Sequence, residues 1–376
     1  MTTPALIASP HRRQRGFSMV EMLVGLAIGL IASGAILQTF STFEAQKRST
    51  VAGSEAQENG LVTLAQLEQE IHNAGIGIAD PAVFNCAAAQ TYTYSSAAGG
   101  PIPNFSLMPL VVTAGATSTA SDRVQINTGD LLGGLPSYTT AAMATPDDAL
   151  TVTRIDNFAA GDLMIVTEGV NCTVMQATTI VAAGPNIGHD TTVGIYNPTP
   201  IIGTVGWPRY PTGSLVLNPK TIVSKQFQVN AGNLEMTMSN VGLSPTAQTF
   251  SLAHNVVFMK VQYGVAPAGS QSVDSWVNAT GTWSPASLAA SPTNRKRIKA
   301  ARFVIVSRGD KQEGTNVTTP CTNVSLQVNN GPCAWRDSVA NPAPVIDLSA
   351  NPNWQRYRYK VYQTIVPLRN VLWGNV

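Results

Sequence analysis

The chain is poor in charge. Asp, Glu, Lys and Arg make up 12% of its 376 residues, 23 basic against 21 acidic. So nearly even a balance provides no cationic footprint for a phosphate backbone or an anionic lipid surface, and no nucleic-acid partner is expected. Histidine is scarce too, limited to His11, His72, His189 and His254. No GxSxG, HExxH, P-loop or GxGxxG in a strand–turn–helix setting occurs. The usual carriers of hydrolytic, metallopeptidase and nucleotide chemistry are therefore missing, and no enzyme activity and no cofactor are expected. The four cysteines, Cys86, Cys172, Cys321 and Cys333, include no CxxC pair and no neighbouring His pair, which argues against a metal site. No internal repeat stands out.

What the chain does have is concentrated at its start, HRRQRGFSMVEMLVGLAIGLIASGAILQTF, residues 11–40. A basic, acid-free leader ends in Gly16, and an apolar run follows to residue 40, broken only by Glu21. At ~1.5 Å rise per residue, a run of roughly 24 residues makes a helix of about 36 Å, enough to cross a ~30 Å hydrocarbon core. A carboxylate inside such a span costs about 2.5 to 3.5 kcal/mol on insertion scales and is a functional residue by default. The leader holds Arg12, Arg13 and Arg15, so of the chain's formal +2 the remainder carries about −1. The basic flank puts the leader in the cytoplasm and everything after residue 40 across the membrane. An ordinary secretory signal has a shorter apolar region with its cleavage site on the far side. A plain signal anchor gains nothing from Glu21.

These residues resemble the class III signal of type IV prepilins and pseudopilins. The resemblance implies that an inner-membrane peptidase cuts after Gly16 and methylates the new N-terminus at Phe17. A buried carboxylate needs a cation, and the amine of Phe17 in a neighbouring subunit would supply one to Glu21 and set axial register during assembly. The competing placement has Glu21 near enough the interface to reach headgroups.

Beyond the span, residues 41–75 read as a soluble amphipathic half of the same helix. Leu61, Leu64, Leu67 and Ile71 share one face, and Glu55, Glu58, Asn59 and Glu70 the other. Gly75, Gly77 and Pro81 end it. From residue 76 to 376 the chain reads as a β-rich head, with 82–250 as a possible elaborated subdomain. Strands are expected at 122–128, 150–155, 162–168, 172–181, 214–219, 221–230, 233–239, 254–265, 301–308 and 357–370. Long loops or small subdomains are expected at 184–213 and 266–296. In VVFMKVQYGV, Val257, Met259, Val261 and Tyr263 alternate as one face of a half-buried antiparallel sheet. The fold class is therefore α+β: a long N-terminal helix packed on a large, mainly antiparallel β domain, the ladle shape of pilins. Outside the membrane an even number of cysteines suggests disulfides, with three connectivities open. Cys321 and Cys333 bracket a short polar loop whose local closure would contribute about 3 kcal/mol, leaving Cys86 to Cys172 by elimination.

Four further blocks resemble the PilW family of minor pilins: LAQLEQEIHNAGIG after the helix, NVVFMKVQYGV, RIKAARFVIVSRG and the C-terminal WQRYRYKVYQTIVPLRNVLW. The resemblance implies assembly work: a minor pilin that primes the type IV pilus and sits at or near the fibre tip. Its partners would be other minor pilins, the major pilin and the prepilin peptidase. The protein would reside in the inner membrane of a Gram-negative bacterium before joining the fibre. A tip adhesin using the unmatched middle region, and a J-type pseudopilin of type II secretion, are the alternatives. Other signals have plainer readings. Arg308-Gly309-Asp310 ends an apolar strand and reads as a turn. The Trp residues at 207, 276, 283, 335 and 354 read as core or loop anchors rather than a sugar-binding patch. Asp147-Asp148 reads as an exposed turn, and the run Asn294-Arg295-Lys296-Arg297-Ile298-Lys299 as a solvated turn before a strand, with a contact for a partner pilin or DNA as the alternative.

Overall fold

The structure, a computed structural model, describes residues 16–87, 91–95, 100–101, 107–130, 135–190, 195–198, 207–240, 247–335 and 338–373. The leader arginines, Arg12, Arg13 and Arg15, lie outside the described residues. The chain divides into two compact units, residues 1–51 and 52–376.

In the first unit the backbone enters helix α1 (Met19–His72). The Ser18 hydroxyl accepts the Val20 N–H at the helix start, and Glu21 sits in the first turn, where a negative charge favours the helix dipole. From Met19 to Glu44 the helix has mean hydropathy 2.2, and its large apolar side chains are exposed. Three of its hydroxyls are satisfied internally: Thr39 donates to the Ala35 carbonyl, and Ser41 and Thr42 to that of Gln38. The span is therefore predominantly apolar with its backbone hydrogen bonds closed within the helix, as a bilayer requires.

In the second unit the rest of α1 leads into an extended series of strands. β1 (Thr91–Ser95), β2 (Gly100–Pro101), β3 (Leu110–Thr113) and β4 (Arg123–Thr128) come first. The middle of the chain forms β5 (Ser137–Tyr138), β6 (Leu150–Thr151), β7 (Leu163–Glu168), β8 (Asn171–Gln176), β9 (Thr179–Val181), β10 (Asn186–Gly188) and β11 (Leu215–Lys220). Then follow β12 (Val223–Asn230), β13 (Asn233–Asn240), β14 (Gln248–His254), β15 (Val256–Val265) and β16 (Ser275–Asn278). Two short helices, α2 (Pro285–Ala290) and α3 (Pro292–Arg297), precede β17 (Ile298–Arg308). β18 (Cys321–Thr322), β19 (Val328–Asn329), β20 (Tyr359–Pro367) and α4 (Arg369–Trp373) complete the order.

Three sheets dominate: β2-β1-β8-β7-β11-β5, β14-β13-β12-β4-β3 and β16-β15-β17-β20. Among the described strands only β1 and β8 run parallel. Leu67 and Ile71 of α1 share one core with Val112, Val124, Ile126 and Phe227 of the five-stranded sheet and Met259, Val261, Tyr263, Phe303 and Ile305 of the four-stranded sheet. Asp122 joins those two sheets. Its carboxylate accepts the Val261 and Gly115 N–H groups and pairs with Lys260 at 2.9 Å. The six-stranded sheet carries its own apolar layers on both faces, Met164, Val166 and Val216 on one and Ile165, Val174 and Leu217 on the other.

Several expectations change here. CTVMQATTIV is not one strand: it divides into β8 and β9, which belong to different sheets, because Ala177 and Thr178 bond to Asp162 and Gly188 instead of continuing the ladder. β3 and β14 arise from segments that carried no clear strand signal. The four-stranded sheet is not half-buried. Its second face, with Phe258, Val304 and Val306, is covered by Ala334, Ile346, Leu348 and Trp354. Val257 also leaves the face assigned to it. A register shift between Val256 and Phe258 against β17 inserts one residue, so Val257 packs with the Phe258 cluster while Val256 joins Met259.

Disulfides join Cys86 to Cys172, spanning 86 residues, and Cys321 to Cys333, spanning 12. The first ties the segment after α1 to β8; the second closes the β18–β19 hairpin.

Candidate assembly site

Glu21 lies one helical turn beyond Phe17, on a helix whose neighbouring surface is entirely apolar. Phe17 is 81% exposed, and a Cβ on Gly16 would meet no atom of the described residues within 4 Å. Between Glu21 and Glu44 the span carries no charged side chain. Among the described residues Glu21 makes no ion pair. A carboxylate so placed has to be matched by a cation from outside its own helix once hydrocarbon or protein surrounds it. Gly16, Phe17 and Glu21 thus share one accessible end, while the cysteines belong to the framework of the head.

The head is built around the amphipathic half of α1, and the blocks Leu64–Gly77, Asn255–Val265, Arg297–Gly309 and Trp354–Trp373 converge there. Ala56, Gly60, Thr63, Leu67 and Ile71 form the buried row, whereas Leu61 is 50% exposed. The inward face thus begins with small residues that the leucine pattern did not reveal. They let strands come close: Ser307 of β17 donates to the Ala56 carbonyl at 2.7 Å, and the Tyr362 hydroxyl of β20 donates to that of Gln57 at 3.1 Å. A Cβ on Gly60 would lie only 2.0 Å from the Tyr362 ring. Lys225 of β12 pairs with Glu70 at 2.6 Å. At the helix end Gly75 adopts φ +82° and its N–H reaches the Asn127 carbonyl. The Asn370 amide donates to the His72 and Ala74 carbonyls at 3.3 and 3.0 Å, so the C-terminal PLRN caps the end of α1.

The Tyr-Gly of β15 has a packing reason too. The buried Tyr263 hydroxyl accepts the Val112 N–H at 2.6 Å, and a Cβ on Gly264 would meet the Trp276 ring at 2.9 Å. The Arg302 guanidinium lies 4.9 Å from the ring centres of both Trp276 and Trp335, and its Nε donates to Gln262 at 2.6 Å. Trp207 and Trp354 are buried. These tryptophans anchor the fold. Asp148 spends its carboxylate on the N–H groups of Ala144 and Thr145, a turn, and those hydrogen bonds hold it below the usual carboxylate range. In the Arg-Gly-Asp tripeptide, Arg308 stacks on Tyr357 at 4.4 Å and the Gly309 N–H is taken by the Arg358 carbonyl. No cluster of three or more His, Cys, Asp or Glu side chains suited to a metal occurs among the described residues.

An exposed N-terminal apolar helix carrying one acid near its start, leading into a large antiparallel β domain, defines a pilin-class subunit. Residues 11–37 match the prokaryotic N-terminal methylation motif. Residues 225–370 match the family model described as Type IV Pilus-assembly protein W, which supports a minor pilin role, and the methylation motif with its apolar helix fits a pilin anchored in the inner membrane and later incorporated into a pilus. That match takes in three of the four converging blocks wholly or in large part. No curated protein matches the chain. Among solved structures it is similar to a type IV-like pilin from Thermus thermophilus, with 11% identity, 84% of this chain and 97% of that chain covered, and a TM-score of 0.31.

Proposed function

We propose that this minor pilin primes assembly of the type IV pilus and resides at or near the fibre tip. In this reading the prepilin peptidase cuts after Gly16, Phe17 becomes the methylated N-terminus, and Glu21 receives a neighbouring subunit's N-terminal amine. The observation that carries it is the lone carboxylate of Glu21 one turn from that junction, on a span that is otherwise free of charge up to Glu44. Other minor pilins and the major pilin are the partners. The chain acts by assembly and not by catalysis.

Intact mass tests one half of the reading, and immunogold labelling with a deletion tests the other. The intact mass of protein purified from membranes should lack residues 1–16 and carry one extra methyl group. An unprocessed mass in cells that process other prepilins refutes the cleavage. Immunogold labelling of sheared pili should put the protein at one end of each fibre, and its deletion should abolish piliation. Label along the whole fibre, or normal piliation without the protein, refutes the tip-priming role.

A further inference from the structure

A cleft of about 270 Å³ opens in the head between the loop after β15, residues 267–271, and α3. Its walls include Asn85, Ser270, Thr293, Lys296, Arg297 and Lys299, and no carboxylate lines it. The run Arg295–Lys299 is therefore not a solvated turn. Arg295 points away and is consumed by the Cys86 carbonyl, which also fixes α3 against the disulfide-tethered segment. Arg297 is held in place by the Ala266 carbonyl, to which its Nε donates at 3.0 Å, and by the Trp283 ring at 5.3 Å. Its terminal nitrogens are left without partners among the described residues.

Lys299 is the unusual member. It is only 4% exposed, yet among the described residues its ammonium makes no hydrogen bond or ion pair. Burial favours its neutral form, so the amine is held below the ordinary lysine range. The Lys299 stem is buried while its ammonium opens on the cleft, and three cations gathered there without a counter-charge repel one another at a cost. An anion entering the cleft removes the cost for all three at once. A neutral or cationic ligand does not.

We propose that this cleft is a binding site for one oxyanion group, a carboxylate, sulfate or phosphate, gripped by Lys296, Arg297 and Lys299. Such a group could arrive as a free ion or carried on a sugar acid, and the test separates the two. The processed full-length protein in a neutral detergent is titrated calorimetrically with sodium phosphate, sulfate, acetate, glucuronate and, as a neutral control, glucose. At least one anion should bind saturably with one-to-one stoichiometry, more tightly at low salt, and glucose should not bind. Lys296→Gln and Lys299→Met should each weaken it by about tenfold or more, the scale of one charge-assisted contact. Lys311→Gln, on the exposed surface, should leave it unchanged. Glucuronate binding far tighter than acetate assigns the group to a sugar acid; equal affinities assign a free ion. If Lys299→Met fails to fold, Lys296→Gln still decides. Absence of saturable binding for every anion, or full affinity retained in Lys296→Gln, overturns the site.

Discussion

At the residue scale, the close approach between α1 and β20 rests on a missing side chain. Glycine inside a helix costs up to about 1 kcal/mol against alanine, so Gly60 is unfavourable locally. It persists because Tyr362 occupies the space of its Cβ. Gly60→Val should destabilise the head by about 1–3 kcal/mol through overpacking, read as a lower urea midpoint with an unchanged slope. A neutral or stabilising outcome would mean the ring swings aside freely. A second prediction concerns His189, which is 1% exposed. Its Nε2–H donates to the Asp148 carbonyl at 2.9 Å, and Nδ1 lacks a partner among the described residues. Burial holds this imidazole below its ordinary value of 6.5. The unfolded chain therefore binds the proton first. The stability is complete above about pH 6.5 and drains away as pH falls below that value. Denaturation at pH 7.5 and 5.5 should show a loss that His189→Gln flattens. The two sites differ in legibility. The Ala56-Gly60-Thr63 row was present as small residues at helical spacing but hidden by the louder leucines, whereas nothing local marked His189 as buried.

At the element scale, the disulfides separate two kinds of constraint. By loop entropy, the 86-residue closure of Cys86–Cys172 should contribute about 4–5 kcal/mol and the 12-residue closure of Cys321–Cys333 about 3 kcal/mol. Paired serine substitutions should therefore lower the melting temperature more at Cys86/Cys172 than at Cys321/Cys333. The reverse order would show that local strain or residual structure outweighs chain entropy. The long helix and most long strands were legible, since β4, β7, β11, β12 and β13 carry their own apolar runs or alternation between turn residues. What escaped depends on partners distant in sequence. Whether β8 ends at Gln176 is decided by Asp162 and Gly188, and the bulge that moves Val257 to the opposite face is decided by its pairing with β17. The second covered face of the four-stranded sheet was invisible for the same reason: the residues that bury it come from a segment rich in Pro, Asn and Gly.

At the scale of the whole molecule, the chain combines a head closed by two disulfides and continuous apolar cores with a span that leaves one carboxylate for another molecule to match. The signal was fully legible because Gly16, Phe17 and Glu21 are read by position alone, and a membrane span needs no tertiary partner to be recognised. The corresponding prediction isolates the charge from the shape. Glu21→Gln keeps the side-chain volume and removes the anion. The variant should insert, be cleaved and fold its head as wild type does, because Glu21 makes no ion pair within the described chain. Its recruitment into fibres should fail. An amine left without its carboxylate inside an apolar bundle costs about 3–5 kcal/mol, on the order of a hundredfold or more in incorporation. Immunoblots of sheared pili, normalised to the membrane fraction, read this directly. Wild-type amounts of Glu21→Gln protein in the fibre would place Glu21 at the headgroup boundary instead, where water and lipid phosphates compensate it. In that case, the register of the subunit would have to come from contacts of the head.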